Sequence, residues 1–80
     1  RATPAAVVIA DPAREGLGKD GVSTLLRAEP DLFVLVSCDP SAFAKDAARL
    51  IAGGMSLARM TVVDMFPGTS HVETVGAFIR

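Results

Sequence analysis

Four residues of this chain have side chains and neighbours suited to chemistry: Asp11, Cys38, His71 and Glu73. Cys38, in "LVSCDPSAF" (35–43), is the only cysteine, and it stands where an apolar run stops and an Asp-Pro pair begins. A buried cysteine is an inert small hydrophobe, whereas a thiolate at the start of a helix is a nucleophile. The free amides and dipole of a helix start favour the thiolate, and the adjacent Asp39 opposes them. Glu73 follows Val72 in an otherwise apolar stretch, "HVETVGAFIR" (71–80). An acid there either points to solvent or is kept for proton transfer. His71 suits a hydrogen-bonding surface role or a catalytic one. Asp11, before Pro12, suits a turn or a polar contact at a site.

The elements that must position these residues can be read from apolar spacing. "AAVVIADPAR" (5–14) is a β-branched run ending in Asp-Pro, a buried strand over Ala5–Ala10. "EGLGKDG" (15–21) reads as a glycine-rich turn, and "VSTLLRAE" (22–29) as a helix closed by Pro30. "DLFVLVS" (31–37) is a second all-apolar strand. Asp39 then caps a helix with Pro40 at its first position, a favoured pairing. Phe43, Ala47, Leu50 and Ile51 line one face of that helix, and Gly53-Gly54 ends it. "MSLARMTVVDMF" (55–66) is a third strand, "PGTS" a turn, and 71–80 a fourth strand. Strand, helix, strand, helix, strand, strand predicts an α/β layer whose last two strands are antiparallel neighbours.

In such sheets ligands collect outside the carboxyl ends of the parallel strands. Asp11 and Cys38 both fall at such ends, and Asp64 with the 66–73 turn lies near the same rim. The polar candidates converge on one edge.

Composition limits the rest. Eighty residues make one domain at most, near the lower end of what buries a self-sufficient core. A single cysteine excludes an internal disulfide and a cysteine-rich metal site within the segment; no metal is expected, and a reducing cytoplasm is the natural location. No apolar run approaches the roughly 20 residues that span a bilayer, so no membrane partner is expected. The net charge is −1, and there is no Trp or Tyr. The chain lacks both the basic footprint and the stacking platform of a stand-alone nucleic-acid binder.

Three segments together resemble a known pattern. "DPAREG" (11–16), "VSCDPSAF" (36–43) and "DMFPGTSHVE" (64–73) are similar, in order and spacing, to the signature segments of the S-adenosylmethionine-dependent RNA 5-methyluridine methyltransferases. That family comprises the tRNA T-loop uracil-5 methyltransferase and its 23S rRNA relatives, and the resemblance runs through nearly all 80 residues. Asp64, Phe66, Pro67, Thr69, His71 and Glu73 fall where the family pattern wants them. Ala13 replaces a second proline, Asp39 an asparagine, Leu35 a common aromatic, and Gly68 fills an often polar place.

The resemblance implies a nucleophile at Cys38 and a general base at Glu73. It places Asp11 beside bound S-adenosylmethionine or the target base, and Arg14 and His71 on the substrate side. The implied fold is the C-terminal half of a Rossmann-like class I methyltransferase sheet, with the last strand lying between the second and third. The implied reaction is methyl transfer to C5 of a uridine in tRNA or rRNA through a cysteine–C6 adduct, with RNA as partner of the full-length protein.

Residues 1–80 then make up the C-terminal portion of a catalytic domain. The cofactor loop and RNA-binding regions would lie upstream, and the isolated piece would be inactive. Its first strand, bared along one edge, would invite self-association. Two other readings stay open: a non-catalytic methyltransferase-fold interaction module, and a cysteine hydrolase with Cys38 and His71 as a dyad. The hydrolase lacks the small residues that a tight strand-to-helix elbow prefers.

Overall fold

The computed structural model describes residues 7–64 and 72–80, with the backbone alone described at Asp64. The elements run β1 (Val7–Ala10), α1 (Gly18–Ala28), β2 (Leu32–Ser37), α2 (Pro40–Ala52), β3 (Ser56–Asp64) and β4 (Val72–Ile79). The strands form one sheet in the order β1-β2-β4-β3. β1 and β2 are parallel, and β4 runs antiparallel to both β2 and β3. The expected α/β order and the antiparallel last pair are therefore borne out, as is the insertion of the final strand between the second and third. None of the helices among the described residues is long and apolar enough to cross a membrane.

Both helices pack on one face of the sheet. Along β2 the burial alternates, with Phe33, Leu35 and Ser37 inward and Leu32, Val34 and Val36 only half-buried. Phe33 and Leu35 meet Phe78 of β4, Phe43, Ala47 and Leu50 of α2, and Val22 and Leu25 of α1 in one core. The Phe33–Phe78 and Phe43–Phe78 ring centroids lie 6.3 and 6.2 Å apart in tilted pairs, a favourable aromatic arrangement. Gly76 makes room for the second pair, because a Cβ there would stand 2.6 Å from Cζ of Phe43. The first turn of α2 is thus seated directly on β4. On the opposite face Val7 and Ile9 remain 61% and 69% exposed.

Three expectations are corrected. The glycine-rich stretch 15–21 is a turn only as far as Leu17, and α1 begins at Gly18, four residues before the expected start. Its early start is secured from outside: the carboxylate of Asp46 accepts from the amides of Leu17 and Gly18, a cap that local spacing does not reveal. Secondly, Ile51 is 51% exposed rather than on the inner face of α2. The buried stripe is Ala42, Phe43, Asp46, Ala47 and Leu50, so the helix is rotated to turn Asp46 inward and Ile51 out. Thirdly, β1 is not buried on both faces: Val7 and Ile9 are exposed, because both helices pack on the other face of the sheet. In β3 a register shift between Leu57 and Arg59 adds one residue, a bulge that sets Leu57 and Met60 on one face. The expected turn over 67–70 and His71 lie outside the described residues.

Candidate functional site

Cys38 is the first residue after β2 and is exposed. Its position is fixed by its neighbours. The Ser37 hydroxyl, buried beneath the strand end, donates to the Asp39 carbonyl (3.0 Å) and lies 3.3 Å from the Asp39 amide as its acceptor. Asp39 in turn is the N-cap of α2: its Oδ1 accepts from the amides of Ser41 (2.9 Å) and Ala42 (3.5 Å). The thiol is therefore held between a strand end and a capped helix start, outside the core, as its sequence position implied. An asparagine at 39 would present the same capping oxygen, so the departure from the family pattern leaves the local architecture intact.

Glu73 reaches the same level through the sheet. Antiparallel pairing of β2 with β4 matches Ser37 with Thr74. The pairing ends there, so Cys38 and Glu73 are the next residue along each strand end, and β3 flanks Glu73 through Val63. The residue is half-buried, and its Oε2 is sealed from solvent with no hydrogen-bond partner among the described residues. A buried carboxylate oxygen without a donor is costly and uncommon, and such groups call for a catalytic or ligand-linked explanation.

Asp11 follows β1 directly and is exposed. Parallel pairing places Ala10 opposite Leu35, so Asp11 lies at the level of Val36, two residues short of Cys38. Arg14 is exposed on a turn closed by a 2.8 Å bond from the Gly16 amide to the Ala13 carbonyl. The rim thus brings Asp11, Cys38 and Glu73 to adjoining strand ends, with Arg14 on the loop beside them. Just beneath, Pro40, Phe43, Met60, Val62 and Thr74 line an apolar hollow of about 330 Å³. No group of three or more His, Cys, Asp or Glu gathers as a metal site among the described residues.

Sequence reasoning missed Asp46, Gly16 and Gly76. Asp46 had a signal: an acid three residues after Phe43 and four before Leu50 sits on the buried stripe of α2. An acid there must find donors.

No family model matches the chain. Individual relatives do. It is 49% identical over 74 residues to an uncharacterized RNA methyltransferase of Corynebacterium efficiens, covering 92% of this chain and 18% of that protein. It is 45% identical over 73 residues to the 23S rRNA (uracil(1939)-C(5))-methyltransferase of Alteromonas naphthalenivorans, covering 91% and 15%. Among solved structures, the tRNA (uracil-54, C5)-methyltransferase of Pyrococcus abyssi, in complex with S-adenosyl-L-homocysteine, superposes with a TM-score of 0.80. Its identity to this chain is 40%, covering 91% of this chain and 18% of that one. The chain spans less than a fifth of the length of these relatives.

Proposed function

Because the chain is homologous through nine-tenths of its length to a segment of the RNA methyltransferases, uracil-C5 enzymes among them, we propose that it is the C-terminal portion of the catalytic domain of an RNA uracil-5 methyltransferase. The remaining four-fifths of the enzyme would complete the sheet and carry the RNA contacts that a net charge of −1 does not supply.

In this reading Cys38 is the nucleophile. C5 of uracil is too electron-poor to attack a methyl donor unaided. Addition of the Cys38 thiolate to C6 forms a C–S bond and moves the ring electrons onto O4 and C5 as an enolate. S-adenosylmethionine would supply a methyl group made electrophilic by its sulfonium, the S–CH3 bond breaking to release S-adenosylhomocysteine as C5 accepts the methyl. The residues present fit such a cofactor on one side, since the exposed Asp11 carboxylate at the end of β1 is suited to its positive charge and N–H donors. C5 then bears both the methyl group and a proton. Glu73 removes that proton, the electron pair re-forms the C5–C6 double bond, and the Cys38 thiolate leaves. The target uridine must be unstacked to reach the rim.

The carrying observation is the pairing of Ser37 with Thr74, which brings Cys38 and Glu73 to adjoining strand ends, with the Cys38 thiol exposed and Oε2 of Glu73 unpartnered among the described residues. Two variants of the full-length enzyme test it. Cys38→Ala removes the nucleophile, and methyl transfer should fall by several orders of magnitude with the fold retained. Turnover within tenfold of wild type would refute the assignment. Glu73→Gln should still permit thiolate addition and ring methylation. The amide cannot take the C5 proton, so a methyl-labelled RNA–protein adduct should persist through denaturing electrophoresis. Normal release of methylated RNA by that variant would sink the base assignment. Unimpaired RNA binding with no methylation by wild type would instead favour the non-catalytic reading.

A further inference from the structure

Asp46 is the one buried charged residue among the described residues, at 1% exposure. It belongs to α2, yet its carboxylate serves α1. Oδ2 accepts from the Leu17 amide at 2.7 Å, and Oδ1 accepts from the Gly18 amide at 3.2 Å and from Nη1 of Arg49 at 3.3 Å. A buried carboxylate is tolerated only when donors and a counter-charge surround it. Here they do.

The fit around this carboxylate is tight on its other side too. Gly16 has φ +84°, and a Cβ there would lie 2.5 Å from Oδ2 of Asp46 and 3.4 Å from Cβ of Ala42. The loop leaving β1 can therefore reach Asp46 only with glycine at 16. That loop begins at Asp11, and its other end is fastened at Leu17 and Gly18. On α2, Asp46 lies about 9 Å along the axis from Pro40, at 1.5 Å per residue. The first turn of α2 is in turn fastened to Cys38 through the Asp39 cap and the Ser37 hydroxyl. One helix thus ties the strand end bearing the thiol to the loop bearing Asp11 and Arg14.

We propose that Asp46 is a positioning residue, whose carboxylate sets the placement of the Asp11–Gly16 loop relative to Cys38. This rests on the methyltransferase reading above, with Asp11 on the cofactor side. A structural cap alone would stabilise the protein without affecting the reaction. A positioning residue alters catalysis in molecules that remain folded, and a displacement of about 1 Å at a reacting centre can cost on the order of 100-fold.

The test compares full-length wild type with Asp46→Ala, Asp46→Asn and Gly16→Ala, each assayed well below its own unfolding midpoint. Asp46→Ala should lower kcat/KM by about 10–100-fold and raise the KM for S-adenosylmethionine. Asp46→Asn should recover much of the loss, because its one carbonyl oxygen can still take the Leu17 amide. Gly16→Ala keeps the carboxylate but pushes it, and should resemble Asp46→Ala. Folded variants with wild-type kcat and KM would overturn the proposal and leave Asp46 a cap.

Amide hydrogen exchange provides a readout that does not depend on turnover. Asp46→Ala should speed exchange across residues 13–18 while β2 stays protected. If wild type methylates no RNA, the activity reading fails, and the exchange result still decides the tether. Unchanged protection at 17 and 18 would refute it.

Discussion

Gly76→Ala should disturb the site from inside the core. Gly76 pairs with Leu35 of β2 and Met60 of β3 at the centre of the sheet, beneath the first turn of α2. An added Cβ would stand 2.6 and 2.8 Å from Cζ and Cε2 of Phe43, and 3.1 Å from Cε1 of Phe78. The Phe43 ring is 5% exposed and cannot swing out to solvent without leaving the core. Overpacking of this kind costs about 1–3 kcal/mol. Alanine loses less backbone freedom on folding than glycine, which offsets about 0.5–1 kcal/mol in a strand. The net destabilisation expected is about 1–2 kcal/mol, roughly a 5–30-fold fall in the folded-to-unfolded ratio. Urea unfolding of the full-length enzyme should show a lower midpoint at unchanged slope. A double-mutant cycle with Phe43→Leu locates the strain. Leucine lacks the far ring atoms, so it should harm the Gly76→Ala protein less than it harms wild type, with a coupling of at least about 0.5 kcal/mol. A raised midpoint, or additive effects, would refute the claim that glycine is needed here to seat Phe43.

Other outcomes follow from the same contacts. Asp39→Ala removes the acceptor of the Ser41 and Ala42 amides and should cost about 1 kcal/mol in urea unfolding, whereas Asp39→Asn should stay within a few tenths. A loss with Asn equal to that with Ala would mean that the charge rather than the capping oxygen matters. The 80-residue piece alone should self-associate in sedimentation velocity, because β1 is an edge strand with Val7 and Ile9 bare on its open face. A strict monomer at high micromolar concentration would contradict that. The same 80 residues should show no calorimetric binding of S-adenosylmethionine, and micromolar affinity would show that they suffice for the cofactor.

What the sequence made legible divides along a physical line. Strand and helix order, the Asp39–Pro40 helix start, the Gly53 end and the exposed Cys38 are all written in short windows, where φ/ψ preference, capping and apolar period act within a few residues. The convergence of Asp11, Cys38 and Glu73 on one rim came from a general rule about parallel sheets, and the register Ser37–Thr74 gives it geometric content. What stayed hidden acts between residues far apart in the chain. The start of α1 depends on a carboxylate 28 residues away. The need for glycine at 76 depends on a ring 33 residues earlier in the chain, and the rotation of α2 that exposes Ile51 depends on Asp46 having donors to meet. Each of these is a buried contact whose partner cannot be inferred from local pattern. The two in closest touch with the rim, Gly16–Asp46 and Phe43–Gly76, grip α2 at its middle and at its first turn. That residue 38 is a thiol could be read from the one cysteine. Its placement depends on a helix clamped at two points, and neither clamp contains a residue that does chemistry.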